Sequence, residues 1–330
     1  MFTFFSKFAM IDGKKVKIRK GMTILEAAKE VGIEIPTLCH IEGQSPTGVC
    51  RVCVVEVEGA RTLVGSCHTP ITEGMVIRTN TPKVLSVRRG VVELMLAAHT
   101  GDCVNDPNAD SCKLHNLASD QEAGAPRFAI ETPRFYPAEE TNPYIRRDLS
   151  KCILCRKCIV ACSEIAGKNI MSIGYRGFES KIVAGYDEPL TTDECRECGI
   201  CIEHCPTGAL SEPKDASPSR NSRNTRRSHK KRQGRSEALP LLKKELDECG
   251  SLSQEAMERV AKKTNLSLSE TFGVSSFYSF LPRKGNGVNR IRICRCVPCA
   301  LKEGQSVAEA LKKELDIGPS EITSIFLESS

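Results

Sequence analysis

The chain has 330 residues, 18 of them cysteine and none tryptophan, and only 40% are hydrophobic. That length implies two or three domains, and so low an apolar content implies small cores that need staples. The net charge of +6 is local, because residues 214–235 carry nine Lys/Arg against Asp215 and leave the other 308 residues at −2; no apolar run of about 18 residues exists to span a membrane.

The opening MFTFFSKFA has no basic stretch before its apolar patch and no small-residue cleavage site. Residues 1–9 therefore read as an extension, and Met10 in MIDGKKVKI as the more natural domain start. Cysteines grouped at ligand spacings without a secretory signal point to a reducing cytoplasm.

From Met10 to Asn80 the pattern is that of a small β-rich fold with one helix. KKVKIRK alternates as a strand, and Ile24, Leu25, Ala28 and Val31 recur at helical spacing behind Thr23 as cap. CRVCVVEVEG and ARTLVGSC read as a hairpin turning near Glu58-Gly59. Cys39, Cys50, Cys53 and Cys67 lie across this region as Cys-x10-Cys-x2-Cys-x13-Cys. Four cysteines around TGVCRVC suit a 2Fe-2S cluster, with Gly48 letting main-chain N–H groups approach the sulfurs. One structural zinc is the alternative.

Residues 81–100 read as one amphipathic helix that delivers His99 just ahead of Cys103. Pro126, Pro133, Pro137 and Pro143 then mark 116–147 as an extended connector.

Between Cys152 and Cys205 the run Cys-x2-Cys-x2-Cys-x3-Cys is written twice: Cys152, Cys155, Cys158, Cys162, then Cys195, Cys198, Cys201, Cys205, followed by Pro206. Zinc knuckles or disulfides are the alternatives for an isolated pair, but two complete runs ending in Cys-Pro point to 4Fe-4S clusters. In such double runs the fourth cysteine serves the other cluster. That assigns Cys152, Cys155, Cys158 and Cys205 to one cubane, and Cys195, Cys198, Cys201 and Cys162 to the second. The 32 residues between Cys162 and Cys195 leave room for an inserted hairpin in IMSIGYRGFESKIVAG.

Residues 211–236 turn abruptly to Ser, Asn, Arg and Lys, the composition of a solvated linker. No aromatic side chains are interleaved to stack bases, so nucleic acid is not an expected partner. Three short helices follow in LPLLKKELDECG, SLSQEAMERVAKKTN and LSLSETFGVSSFYSF, with Cys249 expected as a buried core thiol. VNRIRICRC reads as a strand and GQSVAEALKKELDIG as a helix, a β-then-α order that suits a thioredoxin-like domain.

Residues 10–80, with the TGVCRVC loop, strongly resemble the ferredoxin-like N-terminal domain of the large iron-sulfur subunit of respiratory complex I and of iron-only hydrogenases. The long spacing between the double runs resembles the ferredoxin module of hydrogenase and formate dehydrogenase subunits. In those families the helix after the first domain leads into a His-x3-Cys-x2-Cys-x5-Cys box holding a 4Fe-4S cluster. The register here gives His99, Cys103, Asp106 and Cys112, with Asp in place of the middle cysteine. Either that set holds a cluster with an unusual corner, or the site is degenerate and His99 packs at the helix end. Asn105 and His115 lie nearby and are not assigned as ligands.

FGVSSFYSF and IRICRCVPC resemble the 24-kilodalton-type thioredoxin-like 2Fe-2S subunit that sits beside the flavin subunit of complex I. Its Cys-x4-Cys pair maps onto Cys294 and Cys299, with Cys296 between them, and its second pair does not occur before Ser330, so the domain reads as truncated. Either the remaining ligands of a second 2Fe-2S cluster come from another chain, or Cys296 substitutes, or the domain has lost that cluster.

The expected fold class is thus α+β multidomain. Its parts are a β-grasp 2Fe-2S domain (1–80), a His-Cys box and connector (81–147), a double 4Fe-4S domain (148–210), a basic linker (211–236), a helical region (237–285) and a truncated thioredoxin-like domain (286–330).

The resemblance implies an electron-transfer subunit of a soluble, cytoplasmic, NAD(P)H-linked hetero-oligomer, compatible with flavin-based bifurcation. Its partners would be a flavoprotein carrying FMN and binding NAD(H), and ferredoxin or a hydrogenase- or formate dehydrogenase-type catalytic subunit. No nucleotide fingerprint occurs in this chain. The alternatives are a diaphorase-side subunit of a hydrogenase or formate dehydrogenase, and a zinc-binding interaction protein.

Overall fold

The computed structural model of the chain describes residues 7–99, 112–127, 135–190, 195, 198–213 and 234–282, with 309–310 and 313–314. They fall into two units: Met1–Lys168 with Pro189–Arg227, and Asn169–Glu188 with Ser228–Ser330.

The first unit begins with a hairpin of β1 (Phe8–Ile11) and β2 (Lys14–Lys17), joined through Asp12-Gly13 with both residues left-handed. That is a twist-matched two-residue turn. The domain start therefore precedes Met10: Phe8 and Ala9 pair in the sheet, because a partner strand for KKVK needs those residues. Helix α1 (Ile24–Glu30) follows, opened by a Thr23–Glu26 capping box that satisfies two first-turn N–H groups reciprocally. Strands β3 (Val54–Val57), β4 (Val64–Gly65) and β5 (Val76–Arg78) complete a five-stranded sheet of order β2-β1-β5-β3-β4. Within it only β1 and β5 run parallel. Ile11, Ile24, Val55 and Ile77 are fully buried between sheet and helix, each contributing about 1.5–3 kcal/mol of burial.

Helix α2 (Pro82–Ala98) starts where expected, with Thr81 capping Val84 and proline at its first position. Residues 113–120, partly expected as connector, form α3 (Lys113–Asp120), whose Leu114, Leu117 and Ala118 face the core. The first proline comes only at 126, so nothing prevents those two turns.

After β6 (Arg146–Arg147) come α4 (Lys157–Val160), continued as a π-helical turn over Ala161–Ile165, and, past residue 189, α5 (Ile200–Glu203). Strand β9 (Leu210–Ser211) returns antiparallel to β6 and closes the double-run segment.

The expected inserted hairpin is present as β7 (Met171–Gly174) and β8 (Lys181–Ala184), but it belongs to the second unit. There it packs with α6 (Arg235–Cys249), α7 (Gln254–Thr264) and α8 (Leu268–Phe277). Val183 from the hairpin shares one core with Leu242, Leu252, Met257, Val260 and Phe272. Gly273 lets α8 close on β7: a Cβ there would lie 2.5 Å from the Ile173 carbonyl oxygen. Cys249 is exposed rather than buried, because it ends α6 just before the left-handed Gly250 cap. The expected strand VNRIRICRC and most of the last helix lie outside the described residues; 309–310 and 313–314 are helical.

Candidate iron-sulfur and metal sites

Cys39 follows α1, Cys50 and Cys53 precede β3, and Cys67 follows β4; all four are at most 3% exposed. Gly48 and Arg51, on either side of Cys50, are left-handed and turn the chain there. The sulfurs converge. Cys39 is driven well below the usual thiol range first by the Cys50 thiol and then by that of Cys67. Cys53 is lowered to about 6, chiefly by Cys67. Cys50 and Cys67 are correspondingly pushed up as donors to those thiolates, with burial adding to the rise. Four buried sulfurs close enough to share charge are the donor set a two-iron cluster requires.

Two neighbours of this set carry no sequence signal of their own. His68 places Nδ1 3.5 Å from the Cys67 sulfur, in space left by two glycines: a Cβ on Gly65 would meet its ring at 2.4 Å, and one on Gly48 at 3.1 Å. The second is Arg88 on α2, 2% exposed, whose guanidinium reaches the main chain around Cys53.

In the double run, the residue directly after the second cysteine is left-handed in both copies: Arg156 at φ 63° and Gly199 at φ 56°. That turn starts α4 and α5 and sets Cys158 and Cys201 on their first turns. Leu154 is also left-handed, and its N–H donates to the Cys152 sulfur at 3.4 Å.

The thiols group as two crossed sets. Burial pushes Cys155 up to about 12, and the thiol charges it feels are those of Cys152 and Cys205. Cys158 is raised by burial, then by Cys155, Cys152 and Cys205. Cys201 is raised by burial, then by Cys162, Cys195 and Cys198. Each set brings four thiols together from both runs, a fit to a cubane in donor type and number.

At the His-Cys box, Cys103 and Asp106 lie outside the described residues. The structure brings His99 and Cys112 together, with His99 Nε2 3.9 Å from the Cys112 sulfur. It adds His115, which the family register leaves unassigned. Ligand atoms of the three lie within 4.8 Å of one another, and the two imidazole centroids are 5.6 Å apart. His99 ends α2, Cys112 caps α3, and His115 is three residues on, on the same side of the first turn of α3. Burial lowers the His99 pKa to about 4, with His115 next in effect and the Lys151 main chain opposing. Cys294 and Cys299 lie outside the described residues.

One apolar cluster joins these places. Cys39 and Cys50 of the first set, Cys112, and Cys155 of a cubane set are packed together with Leu38, Val52, Val92 and Leu114. Among the described residues no helix is long and apolar enough to cross a membrane.

Comparison with known proteins matches residues 9–82 to a 2Fe-2S iron-sulfur cluster binding domain, 151–209 to a 4Fe-4S dicluster domain and 224–326 to a thioredoxin-like [2Fe-2S] ferredoxin. The NADP-reducing hydrogenase subunit HndD of Solidesulfovibrio fructosivorans is 40% identical over 215 residues, 61% of this chain and 35% of that protein. The NADH-ubiquinone oxidoreductase 75 kDa subunit of Reclinomonas americana is 36% identical over 200 residues, 61% of this chain and 28% of its own. The chain thus spans about a third or less of those relatives. A crystal structure of an NAD+-reducing [NiFe]-hydrogenase in the H2-reduced state aligns with TM-score 0.54 at 28% identity, over 65% of this chain and 90% of that one. The chain is therefore a multidomain iron-sulfur protein carrying 2Fe-2S and 4Fe-4S binding domains, homologous to iron-sulfur subunits of NAD(P)H-linked oxidoreductases and hydrogenases.

Proposed function

We propose that this chain is the electron-relay subunit of an NAD(P)H-linked oxidoreductase, passing single electrons between a flavoprotein and either ferredoxin or a catalytic subunit. The ligand sets are Cys39, Cys50, Cys53 and Cys67 for a 2Fe-2S cluster. Cys152, Cys155, Cys158 and Cys205, and Cys195, Cys198, Cys201 and Cys162, hold the two 4Fe-4S clusters. The observation that carries the reading is the shared apolar cluster: thiols of the two-iron set and of one cubane set lie in the same dry core, which suits serial transfer rather than separate structural staples. The Cys201 charge felt at Cys158 continues the same path from one cubane set to the other.

Clusters supply one-electron steps, and this chain's residues fix and insulate them. A hydride donor needs a flavin to split its electron pair, so NAD(H) and FMN belong to a partner. The relatives named above, a hydrogenase subunit and an NADH-ubiquinone oxidoreductase subunit, support that assignment. None of the fourteen described cysteines is paired in a disulfide, which supports a cytoplasmic setting.

The test is iron, sulfide and EPR analysis of anaerobically purified, dithionite-reduced protein, with Cys155→Ser in the complex. Loss of one cubane signal and of onward electron flow is expected, with NADH reduction of the partner flavin intact. Stoichiometric zinc in all three cysteine sets without reduced-cluster signals would overturn the reading.

A further inference from the structure

We propose that His99, Cys112 and His115 bind a single zinc-type divalent ion, in place of a fourth iron-sulfur cluster. The inference goes beyond the relay reading and does not depend on it.

Bonds of about 2.0–2.3 Å to one tetrahedral ion place its donors roughly 3.3–3.8 Å apart. His99 Nε2 and the Cys112 sulfur already stand 3.9 Å apart, and all three donor atoms fall within 4.8 Å. Small side-chain rotations close that gap. Donors to a cube each serve a different iron and must stand farther apart than donors sharing one ion.

Two imidazoles and one thiolate are a borderline-soft set that suits zinc, whereas the cubane of a His-x3-Cys-x2-Cys-x5-Cys box takes three thiolates and a single imidazole. His115 has no place in a His-x3-Cys-x2-Cys-x5-Cys ligand set, yet the first turn of α3 brings its ligand atom within 4.8 Å of those of His99 and Cys112.

Cys112 is 2% exposed and packs with Val92, Leu114 and Leu117, so the thiol is held in a dry wall that limits exchange. The N–H of Lys113 donates to the Pro206 carbonyl at 2.7 Å, which anchors the start of α3 to the segment just after Cys205. A redox-inert ion here would fasten the end of α2 to the start of α3 without taking part in electron transfer. A fourth position remains for water or a further donor.

The test is elemental analysis of the anaerobically purified full chain and of His115→Ala. One zinc per chain is expected in the unaltered protein, and its loss in His115→Ala with iron and acid-labile sulfide unchanged. His115→Cys, which restores a donor, should regain the metal and separates ligand loss from misfolding. Protein produced with cobalt should show a thiolate-to-cobalt charge-transfer band that Cys112→Ser abolishes. Absence of zinc, copper in its stead, zinc that survives His115→Ala, or a fall of four irons in that variant would each overturn the proposal.

Discussion

Arg88 grips the chain on both sides of Cys53, donating from Nε to the Val52 carbonyl at 3.1 Å and from Nη2 to the Val54 carbonyl at 2.8 Å. Its positive charge is buried beside a cluster thiol, and burial lowers its pKa while Cys53 opposes that shift. Arg88→Leu should leave two buried carbonyls unpaired and cost about 2–4 kcal/mol of stability. It should also lower the two-iron reduction potential by on the order of tens of millivolts, since the added electron loses a favourable charge. Thermal unfolding and an EPR redox titration read the two effects separately. Arg88→Lys keeps the charge and should spare the potential more than the stability.

His68 gives a second handle on the same cluster. Gly65→Ala would press a methyl group into the His68 ring and drive it from the Cys67 sulfur. The expected result is a shifted two-iron EPR signal with the cubane signals unchanged. Adding His68→Ala should relieve the crowding, so the double variant should be more stable than Gly65→Ala alone; additive losses would refute the contact.

The crossed cubane sets predict which single changes share a phenotype. Cys205→Ser should damage the same cluster as Cys152→Ser, although 53 positions separate the two in sequence, while Cys162→Ser should damage the other. Paired EPR spectra decide this. Grouping by run instead of across runs would contradict the charges felt at Cys155 and Cys201.

Gly273→Ala sets two effects against each other. Helix propensity alone favours alanine in α8 by about 1 kcal/mol, but its Cβ would fall 2.5 Å from the Ile173 carbonyl oxygen. Close approach should win, with a net loss of about 1–3 kcal/mol. Hydrogen exchange should show β7 and α8 loosening together.

Glu245 on α6, 6% exposed, accepts from Arg259 of α7 at 3.0 and 2.6 Å. Arg259 holds its carboxyl below the usual carboxylate range. A depressed folded-state pKa contributes stability that is present above the unfolded value and lost as pH falls through the folded one. Glu245→Gln should therefore lower the melting temperature by a few degrees at neutral pH, and the difference should vanish in acid. A constant difference across pH would assign the effect to packing.

The cysteine spacings are enough to propose the three four-thiol sets, although in the double run each fourth cysteine is assigned from the other run. The cap at Thr23 is legible because a cap is decided within four residues, and the structure adds caps of the same kind at Thr81, Ser253 and Ser267. What sequence hid depends on distance. Arg88 looks like one more charge on an amphipathic helix until α2 lies against the Cys53 loop. His115 carried a Cys-x2-His spacing as its signal, but its meaning needed the end of α2 beside the start of α3. Likewise nothing local to residues 171–184 says that their partners are the helices beginning at Arg235.

That last arrangement bears on how the chain is made and cut. The polypeptide passes between its two units three times, after residues 168, 188 and 227. During synthesis the β7–β8 hairpin emerges long before α6–α8 exist, so Val183 must wait uncovered while the second cysteine run is already available for assembly. A protease acting within 214–233 would nick the chain and release nothing, because the piece bearing the helices stays bound to a hairpin that belongs to the other fragment.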